Sequence, residues 1–209
     1  MAKDFTETQA LSAALSALTL GEVVIVTGAQ DGPFMLAAGE KITPGAVNLM
    51  ATHARGLVEI ALSPARAEEL CLAPQPRRSW SARAEYAVSI EAAKGTSTGI
   101  SATDRARTIQ AASCGGPEDI VTPGHIIPRV CTPSEAGARQ EAGTIALELL
   151  TKAGLSPIAA ICTILDEQGE VATTPKAESL AAQFGLVLYP SCGAKERPKT
   201  AELSPALLE

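Results

Sequence analysis

Aromatic side chains, excess positive charge and long apolar runs are all missing or scarce in this 209-residue sequence, and each absence removes a class of protein. Aromatic residues make up only 3% of the chain, which leaves few rings on which single-stranded nucleic acid could stack. The formal net charge of −6 disfavours nucleic acid and anionic membrane surfaces as partners. Because no run of about 18 apolar residues occurs, we expect no membrane span and no membrane partner.

Cysteine motifs are missing as well. No two of the five cysteines stand in a Cys-x-x-Cys or similar spacing, the five being Cys71, Cys114, Cys131, Cys162 and Cys192. An odd number without such spacing favours neither a disulfide framework nor a zinc site. Residues 1–20 also lack the charged and apolar regions of a secretion signal. We therefore expect reduced thiols and a cytoplasmic protein.

Helical and strand patterns alternate along the chain, in which 46% of residues are hydrophobic. Capping residues and apolar periodicity predict helices that begin at Thr6, Thr43-Pro44, Ser63-Pro64, Thr103, Ser134 and Pro175. Apolar runs predict strands over 22–26, 34–38, 57–62, 85–91, 158–165 and 186–189, with residues 115–128 mainly loop. This order predicts one layered α/β (α+β) domain over residues 1–191, followed by a mobile tail at 192–209.

Residues 96–108 place hydroxyls and a glycine before the start of a helix. The unpaired N–H groups and partial positive charge of a helix N-terminus suit an anion, and Arg105 and Arg107 add charge there. The same pattern is typical of a capped helix that follows a flexible loop. The residues alone leave both interpretations open.

Two later segments also carry polar groups. His125, one of two histidines, lies in the segment Pro-Gly-His-Ile-Ile-Pro at 123–128. It is either a proton-transfer group or a hydrogen-bonded loop residue. The charges of residues 138–144 are typical of a solvated helix face.

Together these segments resemble one family. Thr-Gly-Ile-Ser-Ala-x-Asp-Arg-x-x-Thr at 98–108, followed by the 123–128 segment, is similar to the paired signature of 3,4-dihydroxy-2-butanone 4-phosphate synthase. The resemblance extends over roughly residues 10–190 and includes the strands at 53–58 and 86–92. It implies a cytoplasmic homodimer that converts ribulose 5-phosphate to dihydroxybutanone phosphate and formate. It also implies Mg²⁺ on the substrate oxygens and carboxylates that move protons.

Several positions depart from the family pattern. The loop 27–33 contains a single acid, Asp31, where the family has an acidic loop. Ala142 falls where the resemblance places a metal-binding histidine, and Thr163 where it places a catalytic glutamate. Glu59 replaces a strand cysteine. Without its metal ligands and two acid–base carboxylates, the family reaction should be much slower.

The retained motifs and the resemblance together give a set of candidate site residues. For catalysis we expect His125 and Glu59, the latter being either a new carboxylate of the pocket or a side chain merely paired with an arginine. The expected substrate-binding residues are the polar groups of the retained motifs, namely Ser101, Asp104, Arg105, Thr108, Arg139 and Thr144. No metal-ligand set and no cofactor are expected, and Mg²⁺ is expected only if the family reaction is retained.

Three functional hypotheses follow. The first is a metal-independent lyase, isomerase or hydrolase that acts on a small anionic carbonyl compound, in specialised metabolism. The second is a dihydroxybutanone phosphate synthase of riboflavin biosynthesis. The third is a non-catalytic, ligand-binding relative. In each case we expect a homodimer, because the resemblance implies one.

Overall fold

The computed structural model describes residues 2–76, 85–132 and 140–191. The predicted tail at 192–209, the predicted helix start at Ser134, and the candidate residue Arg139 lie outside the described residues. Cys192 lies outside them too, whereas the other four cysteines are free thiols. Burial raises the pKa of Cys131 and of Cys162 to about 12, so neither is a ready nucleophile.

Six α-helices and eight strands make up the described part of the chain. The helices are α1 (Ala2–Leu20), α2 (Pro44–Leu49), α3 (Pro64–Glu69), α4 (Ala102–Cys114), α5 (Ala142–Lys152) and α6 (Thr174–Phe184). The strands are β1 (Val24–Thr27), β2 (Phe34–Ala38), β3 (Arg55–Leu62), β4 (Glu85–Tyr86), β5 (Ile90–Ala92), β6 (Ile120–Val130), β7 (Ile158–Ile164) and β8 (Val187–Pro190). A π-helical turn, Met50–Ala54, joins α2 to β3.

One mixed sheet carries the fold. Its strand order is β4-β6-β3-β7-β2-β1-β8, and β5 pairs with β6 off this path. The pairs β3–β6 and β1–β8 are parallel, whereas β7 runs antiparallel to both β2 and β3. The long strand β6 therefore has β3 on one side and the short strands β4 and β5 on the other.

Apolar side chains cover both faces of the sheet. Val47 of α2, Ile109 of α4 and Ala177 of α6 pack on one face. Leu18 of α1 and Leu149 of α5 pack on the other. Side chains of successive strand residues point to opposite faces, so strands with two covered faces must be apolar along their whole length, as β2 is. The predicted layered α/β architecture is confirmed.

Local signals account for several element boundaries. Thr43 and Ser63 cap α2 and α3 with their side chains, each followed by proline, as predicted. Gly185 ends α6 with a φ of 63°, a conformation that glycine adopts at low cost. The predicted cap at Thr6 is wrong, because α1 already begins at Ala2.

Three other predicted elements are wrong in their extent. Residues 120–128, part of the predicted loop 115–128, belong to the strand β6, because pairing with β5 and β3 outweighs the local preference of Pro123 and Gly124. The predicted strand 85–91 is interrupted between β4 and β5. The predicted helix is not continuous up to Lys152, because Glu141 has an extended backbone and α5 begins at Ala142.

Candidate active site

The loop before α4 is held by a buried carboxylate. Asp104 Oδ2 accepts hydrogen bonds from the backbone N–H groups of Ser97 and Gly99, at 3.3 and 3.2 Å, and from the Ser97 hydroxyl at 2.9 Å. These bonds, above all the one from the Ser97 hydroxyl, lower the pKa of Asp104 below its usual value. Ser101 caps α4 by accepting the Asp104 N–H at 3.0 Å. Asp104 and Ser101 therefore fix the loop, and they are predicted residues whose observed role is structural.

A chain of hydrogen bonds links α4 to β6 through Glu91. The Thr108 hydroxyl lies 2.8 Å from Glu91 Oε1, and Glu91 Oε2 lies 2.8 Å from His125 Nδ1. Thr108 is fully buried and Glu91 is nearly so, whereas the His125 side chain is 44% exposed. An ionised carboxylate can only accept, so in contact with it Nδ1 is the donor and Nε2 is the ring nitrogen left to face a ligand. This arrangement suits a general base at a surface that a substrate can reach.

Gly99 packs closely against the hydrogen-bonded pair of Glu91 and His125. Its φ is +80°, and a Cβ built there would lie 2.0 Å from Glu91 Oε2 and 2.5 Å from His125 Nδ1. Only a residue without a side chain fits between the loop and the Glu91–His125 pair. The loop motif and the histidine motif, separated by more than twenty residues in sequence, thus form one site.

A second polar cluster surrounds the buried side chain of Arg129. Its Nη1 lies 2.8 Å from Asp31 Oδ2, and its Nη2 donates to Glu141 Oε2 at 2.6 Å. Burial opposes the positive charge, but Asp31 and Glu141 outweigh burial and raise the pKa of Arg129 above its usual range. The buried Nε of Arg129 has no hydrogen-bond partner within the described part of the chain.

Glu59 lies beside this second cluster. It is opposite Ile127 in the β3–β6 pair and is 9% exposed. Desolvation raises its pKa, and this outweighs the opposing effects of the Arg129 charge and of a hydrogen bond from Tyr86. Among the described contacts Glu59 is joined to Tyr86, whereas His125 is joined to Glu91.

The raised pKa of Glu59 predicts a pH-dependent stability. A folded-state pKa above the ordinary value of 4.5 means that the folded protein holds this proton more tightly than the unfolded chain. Glu59 therefore contributes stability that is fully present below pH 4.5 and is lost as the pH rises through the raised pKa of the folded protein. Relative to Glu59→Gln, which does not titrate, the parent should become less stable as the pH rises through this range.

Urea unfolding of both proteins at pH values below and above 4.5 measures this difference. Glu22→Gln, which removes an exposed carboxylate, serves as the control. If the free energies of unfolding of the parent and Glu59→Gln change with pH in parallel, Glu59 does not titrate as described.

The remaining predicted residues are scattered. Thr144 donates to the carbonyl of Thr132 at 3.2 Å and so ties α5 to the end of β6. Arg105 is half-buried, and within the described residues its buried Nε has no hydrogen-bond partner. Arg139 cannot be assigned a place, because it lies outside the described residues.

Three residues of the two clusters escaped sequence analysis. In the sequence Glu91 fits only a strand pattern. A carboxylate at the end of an apolar strand, directly before the loop motif, is nevertheless a signal that could have indicated a site residue. Arg129 and Tyr86 gave no signal, because each lies next to apolar residues and its partners are far away in sequence. Arg129, for example, joins Asp31 to Glu141.

A layered α/β domain in which a buried carboxylate orients an accessible histidine belongs to the class of proteins equipped for proton transfer. The chain is a member of the 3,4-dihydroxy-2-butanone 4-phosphate synthase family, whose model matches residues 12–190. It is 39% identical to the synthase of that name from Pseudomonas aeruginosa over 79% of this chain and 47% of that protein. It is 35% identical to the synthase from Agrobacterium fabrum over 84% of this chain and 85% of that protein. The chain thus spans about half the length of the Pseudomonas relative.

Solved structures agree with this membership. The fold is similar to that of a two-domain synthase from A. baumannii, with a TM-score of 0.79, 32% identity, and coverage of 86% of this chain and 55% of that one. It is equally similar, at a TM-score of 0.79 and 25% identity, to a synthase in complex with two magnesium ions, with coverage of 86% and 92%. The sequence-based resemblance is confirmed.

The described residues do not fit a magnesium site of this kind. Residues 2–76, 85–132 and 140–191 contain no group of three or more His, Cys, Asp or Glu side chains placed to hold a metal ion. Asp31 and Glu141, two acids near the start of α5, already contact the guanidinium of Arg129.

Within residues 2–76, 85–132 and 140–191, no helix has the length and hydropathy needed to cross a membrane.

Proposed function

We propose that this chain is a lyase that acts on a small phosphorylated ketose, and that ribulose 5-phosphate is its first candidate substrate. The observation that carries the proposal is the hydrogen-bonded pair of Glu91 and His125, with the histidine side chain 44% exposed. Relatives named 3,4-dihydroxy-2-butanone 4-phosphate synthase, at 39% and 35% identity, support this substrate and the second functional hypothesis. The homodimer and the cytoplasmic location stay predictions.

In this proposal His125 removes a proton from the carbon next to the substrate carbonyl, which is the enolisation that the family reaction requires. Glu91 holds the imidazole in the correct tautomer and stabilises the imidazolium that forms. Thr108 holds Glu91, and Asp104 holds the loop that contains Gly99. Binding of the phosphate is assigned to the N-terminal end of α4 and to Arg139.

A second candidate is a reaction on another small anionic carbonyl compound without a metal ion. The observation that favours it is the Arg129 cluster, which joins the two segments that, by the resemblance, would supply metal ligands. The product of the reaction distinguishes the two candidates.

The test is to incubate the full chain with ribulose 5-phosphate and Mg²⁺ in deuterated water and to follow the mixture by NMR. Formate and dihydroxybutanone phosphate in the product would establish the synthase reaction. Exchange of the proton next to the carbonyl without formate would show enolisation alone. If neither occurs, ribulose 5-phosphate is not the substrate. A parallel sample with a metal chelator would then show no difference, because there is no activity for the chelator to inhibit.

A further inference from the structure

The guanidinium of Arg129 joins two segments that are far apart in sequence. Asp31 lies in the loop after β1, and Glu141 immediately precedes α5. Asp31 Oδ1 also accepts the backbone N–H of Ala142 at 2.8 Å, so the loop and the helix start are in direct contact. These two segments are the ones that, by the resemblance, hold the acidic loop and the metal-binding histidine of the family.

Three of the four carboxylate oxygens at this place already have partners. One carboxylate oxygen of Asp31 accepts the N–H of Ala142, and the other forms an ion pair with Arg129 Nη1. Glu141 Oε2 accepts a hydrogen bond from Arg129 Nη2. A hard divalent cation needs several free oxygen ligands in a near-octahedral arrangement, and it would here lie beside a fixed positive charge. Arg129 is only 5% exposed, so solvent screens that charge little.

Arg129 is also held in the strand that carries His125. It pairs with Ala61 of β3 and with Tyr86 of β4, and both neighbours fix its position in the sheet. Its side chain is therefore a preorganised cation, unlike an arginine on a loop, which would need to be ordered when a ligand binds.

We propose that Arg129 is a built-in cation that occupies the place of the family's divalent metal ion, so that this site binds no metal while Arg129 is present. Removal of the guanidinium frees Asp31 and Glu141 to act as oxygen ligands. The inference concerns metal binding alone and therefore stands or falls separately from turnover of ribulose 5-phosphate.

The experiment is a titration of the full chain with Mn²⁺, followed by electron paramagnetic resonance of the free ion. The parent is expected to bind no Mn²⁺ at this site, and Asp31→Asn should leave its titration curve unchanged. Arg129→Met is expected to bind one Mn²⁺ per chain at least about tenfold more tightly than the parent, because two carboxylates lose their cation. Adding Asp31→Asn to Arg129→Met should remove the gain.

The matched control is Arg66→Met, which removes an arginine that contacts Glu69 and two backbone carbonyls elsewhere. It should titrate like the parent. One Mn²⁺ per chain in the parent that Asp31→Asn abolishes would overturn the proposal, and this result does not depend on how Arg129→Met folds. Arg129→Met that has the circular dichroism spectrum of the parent yet gains no Mn²⁺ would overturn it as well.

Discussion

Replacing His125 with glutamine should lower kcat by about 10²–10⁴-fold, the usual contribution of a general acid–base group, while substrate binding changes little. Glutamine can keep a hydrogen bond to Glu91, so the loop and β6 should stay in place, but it cannot accept a proton at neutral pH. The measurement is the steady-state rate with ribulose 5-phosphate, or with the anionic carbonyl compound that proves to be the substrate. Binding is measured separately by calorimetry.

His53→Gln is the matched control for this substitution. His53 packs against Phe184, with ring centroids 4.3 Å apart, and lies on the π-helical turn before β3. We expect it to affect stability and not kcat. Parent-like turnover in His125→Gln, with an unchanged circular dichroism spectrum, would remove His125 from the mechanism and with it the main support for the proposed function.

Replacing Gly99 with alanine should both destabilise the protein and disrupt the Glu91–His125 pair. A positive φ costs a residue with a side chain roughly 1–2 kcal/mol. The new methyl group would also collide with Glu91 Oε2, at 2.0 Å, which adds a further cost of about 1–3 kcal/mol typical of overpacking. Because the collision falls on both members of the pair, turnover should fall even in the molecules that remain folded.

Gly169→Ala separates the two effects. Gly169 has a φ of +84°, close to that of Gly99, but a Cβ there would meet nothing within 4 Å. It should therefore show the backbone cost alone and keep full activity. Urea unfolding and turnover of both variants are the measurements. Equal free energies of unfolding for Gly99→Ala and Gly169→Ala would mean that the site relaxes around the methyl group and that the close packing is not essential.

The fold could be predicted from the sequence wherever local signals and tertiary packing agree. The strand 34–38 was placed correctly because all five residues are apolar and buried, and the starts of α2 and α3 because Thr43-Pro44 and Ser63-Pro64 cap helices. Prediction failed at β6, where proline and glycine suggest a loop but pairing with β3 and β5 supplies the hydrogen bonds. Such pairing depends on residues far away in sequence.

The candidate site was predictable only in part for the same reason. His125, Asp104 and Thr108 could be found because they lie in recognisable motifs, but their connection passes through Glu91, which no motif singled out. The proton-transfer role expected of Glu59 stays a prediction. Its surroundings are set by Arg129 and Tyr86, whose proximity only the sheet reveals.

The contacts of Arg129 also limit how this protein can change by mutation. Loss of the guanidinium alone leaves two partly exposed carboxylates close together without their cation, which destabilises the protein. Loss of Asp31 alone removes the acceptor for Ala142 N–H as well. Substitutions at Asp31, Arg129 and Glu141 are therefore strongly epistatic. A sequence that exchanged this cluster for a metal site would have to alter all three positions nearly together. Scans of single substitutions would therefore underestimate how well the protein tolerates simultaneous replacement of Asp31, Arg129 and Glu141.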